Sequence, residues 1–330
     1  TIDGIVITGR GDLGTGQIQI SVSRPVLTDV TNLIKQGESS IGKSIDGLPM
    51  DIIREQLDAL EDCREDDRGV DTTDIDINAL EIWYVEYLKD LGLDLAGDGI
   101  LIYASRSPEG DFTNQDGNLQ AIRLVANSPL SVPELLDETT IATDNPMYVQ
   151  GNFNTTNTKG VALISDAFNI LSENFISHPN VKYKPFGSPN EKVPGRIPPN
   201  GGKFCNISKL NLFKFFSGRE TTVNAAVFSG NVPGTTIGDG AHIYPRFHEY
   251  WYSTKNPQLF GISPNKRPDL NILGSFVNLW TSQQADGEFI PFKTDLYSAP
   301  TRNWGWDVRF GNPEFWPPFI PSVFTVERVG

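Results

Sequence analysis

From Gly97 onward the sequence is built from short apolar runs, each too short for a stable helix and too continuous for a one-sided sheet. They are Ile100-Leu-Ile-Tyr103, Ala121-Ile-Arg-Leu-Val125, Pro146-Met-Tyr-Val149, Val161-Ala-Leu-Ile164, Val223-Asn-Ala-Ala-Val-Phe228 and Leu273-Gly-Ser-Phe-Val-Asn-Leu-Trp280, with Gly, Asn, Asp and Pro at the bends between them. Several starts lie roughly 20 residues apart, a spacing that fits rungs of a parallel β-solenoid whose strands bury their faces by stacking on neighbours. The predicted fold is therefore mainly β, a parallel, β-helix-like solenoid; a β-sandwich is the alternative, because the repeat is irregular. Within 184–202, five prolines and four glycines predict a long surface loop.

The N-terminal third reads differently. Ile5 and Ile7, then Ile18, Ile20 and Val22, alternate on either side of a glycine-rich turn and predict two strands. Leu48, Ile52, Ile53, Leu57 and Leu60 fall on one helical face, and Ile77, Leu80, Tyr84, Tyr87, Leu88 and Leu91 on another, with Asn78 and Glu81 as a capping box. These predict a two-helix insert over residues 45–95 within one domain spanning 1–330. Between the helices, Asp58 to Asp76 holds nine carboxylates and two arginines, half of the net charge of −14. That charge argues against nucleic acid as a partner, and no run of apolar residues is long enough to span a bilayer as a helix. Gly 31, Pro 23 and Phe 19 against Met 2 and Cys 2 suit a turn-rich β protein outside the cell, and Thr1 at the start of the sequence suits a removed leader or a longer chain.

The residues that carry chemistry are sparse. Cys63 and Cys205 have no Cys-x-x-Cys partner, which excludes a cysteine zinc site and makes a disulfide the natural reading in an exported chain, against two unpaired thiols. His242 and His248 lie six apart, not the helical spacing of a zinc pair, and their neighbours Tyr244, Phe247, Tyr250 and Trp251 predict an aromatic packing segment. Asp71, Asp74 and Asp76 beside Asn78, and Asn114 to Gly117, offer oxygens to calcium, but neither completes a calcium loop, so solvated acidic loops are expected and no metal or cofactor is assigned. A polysaccharide-cleaving solenoid needs clustered carboxylates or a basic residue on adjacent rungs, and Asp144, Asp166 and Arg123 are the candidates. As single charges on single rungs they read better as binding or capping groups. Asn224 and Asn231 are placed to stack amides along the axis, and Arg302 to cover the Trp304 indole while pairing with Asp307. Trp304, Trp306 and Trp316 predict either a contact surface or a cap on the end of the solenoid.

Ala142-Thr-Asp-Asn-Pro-Met-Tyr-Val-Gln-Gly-Asn-Phe-Asn-Thr155 and Ala162-Leu-Ile-Ser-Asp-Ala-Phe-Asn-Ile-Leu-Ser172 carry a resemblance, joined by Val223-Asn-Ala-Ala226, Gly230-Asn-Val-Pro233, Pro245-Arg-Phe-His-Glu-Tyr-Trp251, Gly274-Ser-Phe-Val277 and Pro300-Thr-Arg-Asn-Trp-Gly-Trp-Asp-Val-Arg-Phe310. Over about 97 to 320 the chain resembles bacterial exported proteins known as accessory type IV pilus assembly proteins, which carry a C-terminal domain of unknown function. The resemblance implies an extracellular or cell-surface location, pilus or envelope partners and no established enzyme activity. The expected function is that of a noncatalytic structural or adhesive protein, self-assembly included; the alternative is a solenoid that binds or cleaves a polysaccharide.

Overall fold

A computed structural model describes residues 3–8, 17–22, 26–29, 53–62, 68–77, 79–80, 99–106, 118–125, 135, 137–172, 175, 218–232, 245–248, 251, 267–286, 300–318 and 320. The described part is mainly β. In chain order its strands are β1 (Asp3–Thr8), β2 (Gln17–Val22), β3 (Val26–Asp29), β4 (Ile53–Asp62), β5 (Arg68–Asp76), β6 (Ile100–Ser105), β7 (Leu119–Val125), β8 (Thr139–Ala142), β9 (Met147–Gln150), β10 (Val161–Ser165), β11 (Phe168–Leu171), β12 (Thr221–Asn231), β13 (Arg246–Phe247), β14 (Asp269–Thr281) and β15 (Thr301–Trp306).

They form two sheets, one of nine strands ordered β15-β14-β12-β10-β8-β6-β1-β2-β3 and one of six ordered β13-β11-β9-β7-β5-β4. From β5 to β14 the chain visits the two sheets alternately, and every pair made within that stretch is parallel. Antiparallel pairing is confined to β1 with β2, β2 with β3, and β4 with β5. Each apolar run singled out after Gly97 falls on a strand, as do the two N-terminal ones.

Parallel register stacks like on like. Ile102, Ile141, Leu163, Val227 and Phe276 stand in one row across the nine-stranded sheet, and Ile75, Leu124, Val149, Ile170 and Phe247 in one row across the other. Both rows meet in a single core between the sheets. Burying such side chains is worth roughly 1.5–3 kcal/mol each, and it repeats at every level of the stack. Gly151, with φ +81°, turns the chain after β9 at the bend expected there.

The first of the two predicted helices is not a helix. Ile53–Asp62 is strand β4, and the acidic connection is largely its partner β5. Between Gln56, opposite Thr72, and Leu60, opposite Val70, β4 carries two extra residues, an irregularity that leaves its apolar spacing at seven and mimics a helical face. Of the second helix, Ile77, Ala79 and Leu80 are helical, capped not at Asn78 but at Asp76, whose Oδ1 accepts the Ala79 N–H at 3.0 Å. The rest of that prediction, the loop at 184–202, His242 and both Cys63 and Cys205 lie outside the described residues.

Candidate functional site

At the C-terminal end the three tryptophans take different positions. On β15, Trp304 is half-buried with its ring 5.5 Å from Phe276, at the end of the interior row, and the Arg302 guanidinium lies 5.3 Å from the Trp304 ring centroid. Trp306 is 59% exposed, with its ring 5.9 Å from Phe310. Past β15 the chain makes two short 3₁₀ turns, Val308–Gly311 and Pro313–Phe315, and runs back along the outer face of the nine-stranded sheet. There Trp316 packs with Ala162, Ala226, Phe228 and Phe310, and its Nε1–H donates to the Phe310 carbonyl at 2.6 Å. Thr140 Oγ1 donates to the carbonyl of Pro318, so this strap reaches from β15 back to β8. The aromatic cluster is thus divided between the end of the stack and its flank, rather than forming one cap.

The strap is held by an ion pair. Arg309 donates from Nε and Nη2 to the two carboxylate oxygens of Asp307 at 2.9 and 2.7 Å, and from its backbone N–H at 3.0 Å. Burial pushes the Asp307 carboxyl up, but the Arg309 hydrogen bonds and charge outweigh it and hold the group below the usual carboxylate range. The predicted partner of Asp307, Arg302, keeps its place over Trp304 but not the ion pair; Arg309, two residues along the turn, reaches both oxygens in the bidentate geometry that guanidinium favours.

The three candidates for polysaccharide chemistry are dispersed. Asp166, at the corner between β10 and β11, accepts the backbone N–H groups of Gln283, Gln284 and Ala285 at 2.6, 3.1 and 3.0 Å, and so anchors the turn that follows β14. Arg123 on β7 is fully buried against Asp74 on β5, with Nε–Oδ1 2.7 Å and Nη2–Oδ2 2.5 Å. Asp144 sits at the corner after β8, beside Tyr103 of β6; burial and then the negative charge of Asp144 raise the Tyr103 phenol above its ordinary value, with the Ser105 hydroxyl pulling the other way.

The acidic residues expected in solvated loops are inside. Asp71 accepts from Asn118 Nδ2 and Gln120 Nε2 at 2.9 and 3.2 Å, and Asp74 also accepts from Thr72 Oγ1 at 2.7 Å; both are at most 1% exposed. The correction has a physical cause: β5 pairs in register with β7, which carries Gln120 and Arg123 opposite Asp71 and Asp74. No group of three or more His, Cys, Asp or Glu able to hold a metal ion occurs among the described residues.

One cluster escaped the sequence reading. His248, just past β13, stacks near Tyr148 with ring centroids 5.5 Å apart and sets Nδ1 3.5 Å from Asp62 Oδ1. Its Nε2 lies 2.8 Å from Asn169 Oδ1, and Tyr148 OH donates to Asp62 Oδ2 at 2.9 Å. Asp62, Tyr148 and Asn169 are wholly buried, tying β4 to β9, β11 and the segment after β13. The available signal was register: Arg123, Tyr148, Asn169 and Arg246 occupy one row of the six-stranded sheet. The neighbours Phe247 and Trp251 do pack, edge to face at 6.1 Å, as the aromatic segment predicts.

Amide stacking occurs, at other residues. Asn303 Nδ2 donates to Asn271 Oδ1 at 3.0 Å, and Asn271 Nδ2 to Thr222 Oγ1 at 3.2 Å, forming a ladder across β15, β14 and β12. Asn224 instead exchanges reciprocal bonds with Asn154, side-chain amide to backbone carbonyl at 3.0 and 2.8 Å, because Asn154 adopts φ +54° in the bend beside it; Asn231 accepts from the Val232 N–H.

Fold and side chains together define a mainly β protein of two largely parallel sheets, with polar corners and an aromatic C-terminal end. No family model matches the chain, and neither a curated protein nor a solved structure does.

Proposed function

We propose that this chain is a noncatalytic structural or adhesive protein of the bacterial surface, exported and associated with type IV pili, with a two-sheet parallel β-solenoid as its body. The solenoid reading is supported by the alternation of the chain between two sheets from β5 to β14 and by the row-on-row register of its parallel strands. A β-sandwich would show predominantly antiparallel pairs. The pilus association rests on the sequence blocks between residues 97 and 320.

The observation that carries the functional reading is the structural engagement of the charged groups. Asp166 ties down a turn, Arg123 and Asp74 neutralise each other out of solvent, and Asp307 is clamped by Arg309. An exposed aromatic and aliphatic surface at the C-terminal end gives such a protein something to adhere with: Leu279 is 56% exposed, Trp306 59% and Val308 78%. The test is co-sedimentation of the purified protein with isolated type IV pili, alongside localisation on intact cells. Binding to piliated and not to bald cells supports the reading, and a cytoplasmic location sinks it.

A second reading, a polysaccharide-binding or polysaccharide-cleaving solenoid, is favoured by the Tyr103 and Asp144 pair, a phenol beside a carboxylate at a corner of the stack. Turnover of an acidic polysaccharide that disappears in Asp144→Asn would establish it over the first.

A further inference from the structure

The two edge strands of the six-stranded sheet are β13 and β4, and the cluster around His248 joins them. Asp62 is the last residue of β4, and His248 follows the last residue of β13. Strand pairing alone does not bring them together. Asp62 stands opposite Arg68, six residues along β5 from Asp74, and Asp74 is level with Arg123 and Tyr148. At about 3.3 Å per residue that offset is roughly 20 Å. Tyr148 OH nevertheless donates to Asp62 Oδ2 at 2.9 Å, so the end of the β4–β5 hairpin folds back as a flap over the outer face of the sheet. That face carries Leu119, Ala121, Tyr148 and Leu171, which alternate with the interior residues and are buried in one apolar cluster with Leu60 of β4.

A proton fastens the flap. Asn169 Nδ2 donates to the Met147 carbonyl at 3.1 Å, which turns Asn169 Oδ1 toward His248 Nε2 at 2.8 Å. Nε2 therefore carries a hydrogen. The other ring nitrogen, Nδ1, lies 3.5 Å from Asp62 Oδ1, a second acceptor. Only the imidazolium has a hydrogen to offer at both nitrogens. A neutral ring protonated at Nε2 would aim the Nδ1 lone pair at a carboxylate, with the Asp62 side chain wholly buried and that of His248 3% exposed. Burial alone disfavours the charged ring, whereas the Asp62 charge and the Asn169 acceptor favour it. Among the described residues, the charged or titratable groups on this face are few. β4 supplies Asp62, β9 Tyr148 and β13 Arg246, whose Nη2 donates to the Ala285 carbonyl at 3.1 Å. Arg123 of β7 is neutralised by Asp74 of β5, and β11 contributes the neutral Asn169.

We propose that the β4–β5 hairpin is a proton-gated flap: it is closed while His248 is an imidazolium between Asp62 and Asn169, and it opens to expose the outer apolar face of the six-stranded sheet when that proton leaves. The sign follows from linkage. The closed form holds the proton more tightly than the open one, so closure is complete below about pH 6.5, the free imidazole value, and is lost as pH rises through the value of the closed pair. For one proton the open-to-closed ratio rises by at most about tenfold per pH unit. The switch goes beyond the attachment proposed above and does not depend on it.

The experiment is a titration of the full chain from about pH 6 to about pH 9 with Nile red, a neutral dye that fluoresces on apolar surfaces, with circular dichroism at each step as the control for folding. Nitrogen NMR of histidine-labelled protein follows the ring itself, its signal assigned by its loss in His248→Gln. Dye emission is expected to be low at the acid end and to rise several-fold as the His248 imidazolium signal disappears, with the β spectrum intact. Asp62→Asn should bind the same small amount of dye at every pH, because an amide at that position donates to Nδ1 of a neutral ring. His248→Ala should bind dye throughout; if it fails to fold, the parent and Asp62→Asn decide between them. Dye binding that is flat or falls with rising pH in the parent, an Asp62→Asn chain that keeps the parent's rise, or a His248 ring already neutral at about pH 6 overturns the proposal.

Discussion

Asp74 and Arg123 face each other across β5 and β7 with both side chains out of solvent, joined through Nε–Oδ1 at 2.7 Å and Nη2–Oδ2 at 2.5 Å. Removing one partner leaves a buried charge uncompensated. Arg123→Met is expected to lower unfolding free energy by about 3 to 5 kcal/mol in urea denaturation, whereas Arg123→Met with Asp74→Leu should recover most of that loss, because a well-packed apolar pair avoids the desolvation cost. Equal losses in the single and double variants would show that the pair itself supplies the stability.

Asp166 holds the three backbone N–H groups of Gln283, Gln284 and Ala285 with its two carboxylate oxygens. Asp166→Ala strands them at a buried corner, with an expected cost of about 2 to 4 kcal/mol, charge-assisted bonds being stronger than neutral ones. Thermal unfolding measures it, and hydrogen exchange at Gln283 to Ala285 should quicken. An unchanged melting temperature would remove Asp166 from the corner.

At Gly160 the strap comes so close that an added Cβ would lie 1.8 Å from the Phe315 carbonyl oxygen. Gly160→Ala must push the strap off the sheet or bend β10, at roughly 1 to 3 kcal/mol. Tryptophan emission should shift to the red as Trp316 leaves its contact with Phe310 and Phe228, and the far-ultraviolet spectrum should stay β. Emission identical to the parent would show that the strap lies elsewhere.

The Asp307 carboxyl is held below its ordinary value by Arg309, so the folded state binds this proton less readily than the unfolded chain. Its contribution is complete at neutral pH and is lost as acidification passes below about pH 4, the unfolded value, and on through the folded one. The strap should loosen over that interval, read by tryptophan emission. Arg309→Gln should abolish the acid-dependent part and weaken the strap at neutral pH. A parent chain whose emission is flat from neutral pH to below the carboxylate range would contradict this role for Asp307.

The strands after Gly97 were legible because parallel stacking buries both faces, so each run reads as nearly continuous apolar sequence without knowledge of its neighbours. Val161–Ser165 and Thr221–Asn231 are of this kind. Thr139–Ala142 and Thr301–Trp306 were not, since polar residues and glycine interrupt their apolar sequence and their strand state comes from neighbouring strands, β6 and β10 for the first and β14 for the second. The bend at Gly151 was legible for a local reason, a positive φ that glycine adopts without strain.

What the sequence alone determined is the mainly β character of the described chain, the position of most core strands and the placement of Arg302 over Trp304, all of which follow from periodicity or from two residues on one face of one strand. Only the tertiary structure decided that Ile53–Asp62 is a strand, that Asp71 and Asp74 are buried, and that Asp62, Tyr148, Asn169 and His248 meet. Each of these depends on a partner far away in sequence. A lone carboxylate reads as solvated until register supplies the arginine or amide that compensates its burial, and that register is set by which strands stack, which no local pattern records.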